Sequence, residues 1–229
     1  MAAEKYNIDS IKNIFDDKLR TANLLPIGFS KNGLFAYAER QTNCECEGKK
    51  CVIHTYEGDF PCEKNALTHV IIVNMVNDQV IHPAIQPEKY HGYDKSTIDH
   101  FLAQHGLVQV KDIQLEQFPF SYNNNNYDIE IRKSKTVVNQ SPIDSNSPRE
   151  GLEFWIHSKE LGRKKFYFHE VISEDIESGM EVGHKVIGFI QSPFENRIVV
   201  LIKYHQRMFE EEYRPNIIVS GVHLSKGFD

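Results

Sequence analysis

The four cysteines of this chain all lie between positions 44 and 62, as Cys44, Cys46, Cys51 and Cys62, with His54 and His69 close by. Clustered thiols support three kinds of chemistry. In an oxidising compartment they cross-link as disulfides and tie down a polar stretch too poor in apolar residues to fold by itself. As thiolates, with or without His54, they hold a structural zinc ion in a reducing compartment. Otherwise they stay free. The spacing Cys-x-Cys-x4-Cys-x10-Cys lacks the Cys-x2-Cys knuckles of a strong zinc site. Residues two apart, such as Cys44 and Cys46, seldom bond to each other, so the disulfide reading pairs each with Cys51 or Cys62. The role is structural in all three cases. The expectation carried forward is at least one such bond and no metal.

Histidines and carboxylates offer the remaining chemistry. Of eleven histidines, His157, His169, His205 and His223 fall on or beside strand-like stretches of the C-terminal half and could share a sheet face. The set His169, Glu170 and His223 is what a hydrolase or metal-dependent enzyme would use there. The simpler expectation for a strand histidine is a partly buried, hydrogen-bonded side chain. His169-Glu170-Val171-Ile172-Ser173 begins like the His-Glu-x-x-His helix of zinc proteases, but Ser173 stands where the second ligand is required. Pro61-Cys62-Glu63-Lys64-Asn65 departs from a deaminase zinc motif in the same way, with Asn65 in place of the second cysteine. No Gly-x-Ser-x-Gly elbow, phosphate-binding loop or dinucleotide fingerprint occurs, so no nucleotide chemistry and no cofactor are expected. Tyr90, His91 and Tyr93 make a compact aromatic and polar patch in a loop, a candidate binding surface, with packing of the tyrosines over the next helix as the alternative. The Glu210–Glu212 run could recruit a basic partner or be a solvated hairpin tip.

The elements that must position these groups are mostly strands. Ile27-Gly28-Phe29-Ser30 leads through Lys31-Asn32-Gly33 into Leu34–Glu39, and Asn-Gly supplies the positive φ angles of a tight hairpin turn. Thr68–Val76 is β-branched and ends at the turn signal Asn77-Asp78. Two short helices are expected: Asp9–Leu19, with Ile11, Ile14 and Phe15 on one face, and Asp94–His105, with Ile98, Phe101 and Leu102 buried and Gly106 as terminator. Tyr122–Tyr127 is a loop tip leading into a strand that runs to Val138. Five further strands follow, in Leu152–His157, Lys165–Ile172, Lys185–Ile190, Arg197–Tyr204 and Asn216–Leu224. The fold class is therefore α+β, mainly antiparallel β. The Pro, Ser and Asn content of 139–151 marks a connector between an N-terminal half, 1–138, and a C-terminal antiparallel half, 152–229, packed together as one globular unit.

Composition bounds the function classes. The formal charge of −6 and a pI near 6.0 leave no basic stripe to neutralise phosphates, so nucleic acid is not an expected partner. No run approaches the roughly 18 apolar residues of a membrane-spanning helix, and a soluble protein is expected. The start, Met1-Ala-Ala-Glu-Lys-Tyr, shows no signal peptide.

Ile27-Gly28-Phe29 recurs as Ile187-Gly188-Phe189, and each copy leads through a polar turn into an apolar strand, Leu34–Ala38 or Ile198–Ile202. An imperfect internal duplication accounts for this order, with chance recurrence as the alternative. The stretch Gly28-Phe29-Ser30-Lys31-Asn32-Gly33-Leu34-Phe35-Ala36-Tyr37 resembles the Gly-Phe-Ser-x-Asn-Gly-x-x-Ala-Tyr hairpin of TolB-like propeller blades and of an uncharacterised bacterial family predicted to be exported. A propeller needs at least four blades, which this chain does not supply, so only the hairpin carries over. The resemblance implies a periplasmic or secreted bacterial protein, with a cytoplasmic one as the alternative, and brings no activity or site residues. The function expected on this reading is a non-enzymatic binding or protein-interaction module whose partner is a protein or small molecule.

Overall fold

The computed structural model describes residues 24–40, 44–48, 50–55, 58–62, 66–84, 86, 92–110, 113–136, 149–171, 181–207 and 213–229. Among them are fifteen strands and one helix, and every strand pairing is antiparallel. The helix expected over Asp9–Leu19 lies outside the described residues. The chain divides into two compact units, one within Met1–Leu115 with Ser192–Glu195, the other Glu116–Gln191 with Asn196–Asp229.

The first unit holds a five-stranded sheet built from β1 (Leu24–Phe29), β2 (Leu34–Arg40), β6 (Leu67–Asn74), β7 (Val80–Ile81) and β8 (Val108–Gln109), in the order β7-β6-β2-β1-β8. The β1–β2 hairpin turns at Lys31-Asn32-Gly33 as expected, but of the Asn-Gly pair only the glycine is left-handed, and the Ser30 N–H donates to the Leu34 carbonyl across the turn. Gly33 takes φ 79°, and the Ser30 hydroxyl accepts hydrogen bonds from the backbone N–H groups of Asn32 (3.2 Å) and Leu34 (3.0 Å). Helix α1 (Lys95–Gln104) starts where Asp94 accepts the Thr97 N–H at 2.7 Å. It ends where Gly106, at φ 64°, donates to Ala103 and Leu107 donates to Leu102, the pair of bonds that closes a helix through a left-handed residue. Ile98, Phe101 and Leu102 of its buried face pack with Leu25, Ile27, Ala36, Ala38, Val70 and Ile72 of the sheet. Each of the Leu, Ile, Val and Phe side chains stabilises the unit by about 1.5–3 kcal/mol when fully buried.

Between β2 and β6 the cysteine-bearing stretch forms its own small sheet of β3 (Glu45–Glu47), β4 (Lys50–Thr55) and β5 (Gly58–Pro61), in that order. Among the described residues its core is Cys44, Ile53 and Cys62, with Cys51 and Phe60 partly buried against them.

The second unit is a β-sandwich. One sheet contains β9 (Phe120–Tyr122), β10 (Asn125–Thr136), β11 (Arg149–Ser158) and β12 (Gly162–Val171) in the order β12-β11-β10-β9; the other is β13 (Glu181–Gln191), β14 (Arg197–Arg207) and β15 (Tyr213–His223). Tyr127, Phe154 and Ile156 from the first sheet meet Phe189, Ile198, Val200, Ile202 and Val222 from the second. The Asn-rich tip becomes the β9–β10 hairpin turn, with Asn123 and Asn124 both left-handed at φ 47° and 62°. Pro215 lies on β15, an edge strand, the place in a sheet where proline is tolerated.

Two features revise the sequence-based organisation. Strands β10 and β11 pair from Tyr127↔Ser158 to Thr136↔Arg149, so the residues flanking the expected connector belong to one sheet; 139–148 lies outside the described residues, and 149–151 is part of β11. The division between units falls instead between Leu115 and Glu116.

The Ile-Gly-Phe echo has a structural counterpart. In β1 the register slips between Pro26 and Gly28, and in β13 between Val186 and Gly188, so Ile27 and Ile187 are each the extra residue of a bulge. Gly28 then pairs with Ala36 and Ala36 with Ile72; Gly188 pairs with Leu201 and Leu201 with Val219. On the other edge Phe29 pairs with Val108, and Phe189 with Glu116.

Candidate functional site

The sequence-predicted residues separate into three groups. All four cysteine sulfurs are bonded, Cys44 to Cys62 and Cys46 to Cys51, so each of the close pair reaches one of the two distal cysteines. Cys46 and Cys51 sit directly opposite each other on β3 and β4. No thiolate is left to hold a metal. Beside them His54 of β4 contacts Asp59 of β5 at 2.7 Å, and that hydrogen bond, followed by the Asp59 charge, raises the imidazole above its ordinary range.

Tyr90 and His91 lie outside the described residues. Tyr93 does not belong to an exposed patch: it is 5 % exposed, packs in the core with α1, donates its hydroxyl to Gln86 at 2.8 Å and its N–H to Leu67 at 2.9 Å. An aromatic ring beside an amphipathic helix is covered by the same apolar drive that seats the helix.

His169, Glu170 and His223 are not assembled into one site. His223 pairs with Arg197 at the start of β14, whereas the His169 ring lies 5.0 Å from Tyr204, seven residues further along that strand. At roughly 3.3 Å per residue this separates the two histidines by about 20 Å. His223 instead accepts the Ser225 N–H at 3.2 Å, and burial, followed by the charges of Arg197, Lys226 and Lys164, lowers its pKa.

What does surround His169 is a cluster at one end of the sandwich interior. His184 of β13 and Tyr204 of β14 stack with ring centres 5.2 Å apart and planes within 3°, and His169 of β12 approaches each at 5.0 Å. Tyr167 lies alongside at 6.5 Å. Gly183, at φ 72°, sits in a bulge where the register slips between Val182 and Lys185, and this turns His184 toward Tyr204. Burial, then the neighbouring His169, pushes His184 down to about 4, so it is neutral at neutral pH. Its Nε2 is buried with no hydrogen-bond partner.

The second assembly occupies the outer face of the other sheet. Trp155 of β11, the chain's single tryptophan, has Arg132 of β10 at 5.2 Å, Arg163 of β12 at 5.3 Å and Lys165 of β12 at 5.9 Å from its ring centre. Carboxylates fix most of these cations. Glu130 takes Arg132 through two bonds of 2.8 and 2.7 Å and lies 2.7 Å from His157; Glu153 accepts from Trp155 Nε1 at 3.0 Å and from Lys165 at 3.1 Å. Arg132 holds Glu130, and Lys165 holds Glu153, below the usual carboxylate range. The Arg163 guanidinium has no carboxylate partner among the described residues.

No family model, curated protein or solved structure matches this chain. The geometry therefore stands on its own residues. The alternation Glu153-Phe154-Trp155-Ile156-His157 contains the signal that three polar or aromatic groups share a face opposite Phe154 and Ile156. For His184 the only local signal is Gly183 before it. Among the described residues no helix is long and apolar enough to cross a membrane.

Proposed function

We propose that this protein is a non-enzymatic protein-interaction module of an exported bacterial protein, and that it meets an acidic partner surface through the outer face of β10, β11 and β12. The observation that carries this reading is Trp155 set among Arg132, Arg163 and Lys165. Tryptophan and arginine dominate binding energy at protein interfaces, and the intrasheet carboxylates hold the cations in place before a partner arrives. Arg163 is the group that a partner carboxylate would complete. Export is supported by the two cysteine pairs, since such cross-links persist in oxidising compartments, and by the resemblance of the β1–β2 hairpin to an exported family. The matched bulges and pairings of β1-β2-β6 and β13-β14-β15 support an internal duplication as the origin of the two units.

The test places a photo-cross-linking amino acid at exposed Lys159, in the turn that joins β11 to β12, in the producing bacterium. An adduct is expected that disappears with Trp155→Ala and with Arg163→Glu but survives His54→Ala in the other unit. No adduct, or one insensitive to both changes on the face, sinks the reading. Thiol blocking before lysis tests export separately: the cysteines should be oxidised in the cell.

A further inference from the structure

The His169–His184 pair has a geometry that core packing does not require. The two imidazoles come from different sheets, β12 and β13, and face each other across the end of the sandwich. Metal–nitrogen bonds of about 2 Å at a tetrahedral angle place the centres of two ligating imidazoles about 5 Å apart; the observed separation is 5.0 Å. The buried Nε2 of His184 has a lone pair or a proton and no partner for it, an arrangement that an ion or a water would satisfy. Tyr204 stacks on His184, and Tyr167 lies beside His169, which holds both rings in place.

We propose that His169 and His184 form a binding site for one divalent transition-metal ion of the zinc, nickel or copper class, joining the two sheets of the sandwich. Imidazole nitrogen suits these ions. Two protein ligands leave the remaining positions to water, which predicts moderate rather than structural-site affinity. The proposal is independent of the interaction surface at Trp155, which lies on the opposite face of its sheet.

The experiment titrates zinc chloride into the oxidised protein, so that no cysteine thiolate competes, and follows binding by calorimetry. One equivalent should bind, with Kd raised at least about tenfold by His169→Asn and by His184→Asn, and unchanged by His54→Ala. A measurement on the unaltered protein guards against variants that fold poorly: substoichiometric copper should broaden the ring NMR signals of His169 and His184 before those of the other nine histidines. Absence of saturable binding overturns the site. So does binding that survives both substitutions, or broadening that begins at other histidines.

Discussion

Reducing the two disulfides should unfold the β3-β4-β5 sheet and leave the rest of the protein folded. Among the described residues the sheet's core has three buried residues, and two of them, Cys44 and Cys62, belong to one cross-link. Three apolar residues cannot offset the ordering of some eighteen backbone positions, at roughly 1–2 kcal/mol each. The cross-links reduce that cost from the unfolded side. The outer bond closes a separation of 18 residues, worth about 3 kcal/mol in the chain-entropy model, and the inner one, at a separation of 5, about 2 kcal/mol taken singly. The loops are nested, so the sum overstates their joint effect, and about 3 kcal/mol is the working figure. That is a factor of about 150 in the opening equilibrium. The assay is amide exchange by mass spectrometry with and without reductant. Amides of Cys51 to Phe60 should lose protection by that order, while those of β10, β11 and β14 exchange as before and the far-ultraviolet spectrum keeps most of its β signal. Unchanged protection of β4 after all four thiols are free would refute the reasoning, as would collapse of both units together.

The other expectations concern single groups. Tyr127→Phe removes the donor that binds the Leu224 carbonyl at 2.7 Å inside the sandwich, and denaturant titration should show a loss of about 1–3 kcal/mol; a neutral result would mean that the carbonyl finds another donor. Gly28→Ala drives a methyl group into the Val108 carbonyl, so β8 should separate from β1, with a cost of about 1–3 kcal/mol and faster exchange of the Val110 amide, which donates to Ile27 at 3.2 Å. His54 should titrate above its ordinary value because protonation strengthens its bond to Asp59, and Asp59→Asn should bring it down. Because the folded value is the raised one, the associated stabilisation is complete below the unfolded pKa and vanishes as pH rises through the folded pKa. An NMR titration that Asp59→Asn does not move would remove this pairing.

Much of the fold could be read from local signals. Asn32-Gly33 marks a turn, Asp94 and Gly106 bracket a helix, and β-branched runs become β6, β14 and β15. These signals are short-range, and short-range physics decides them. Pro and Ser content does not locate a unit boundary, which depends on which strands pair, and β10 and β11, on either side of 139–148, pair with each other. For Tyr93 the packing alternative holds: its backbone N–H is held by Leu67 and its ring lies with α1 in the core.

The candidate sites were harder to read because bulges decide them. Along β12, Arg163, Lys165, Tyr167 and His169 share one parity, and strict alternation would put all four on one face. The register slips opposite Phe154 and Trp155: Lys165 pairs with outward Trp155, and Tyr167 with Phe154, which is fully buried. The extra residue, Phe166, therefore sends the first two side chains to the tryptophan face and the last two into the sandwich beside His184 and Tyr204. Gly183 makes the matching adjustment in β13, and Ile27 and Ile187 make it before each Gly-Phe. A bulge costs the sequence no special residue at Phe166, so nothing local announces it. It follows that the separation between a polar face suited to a partner and a histidine pair suited to a metal ion arises from one inserted residue, and not from two different patterns of residue types.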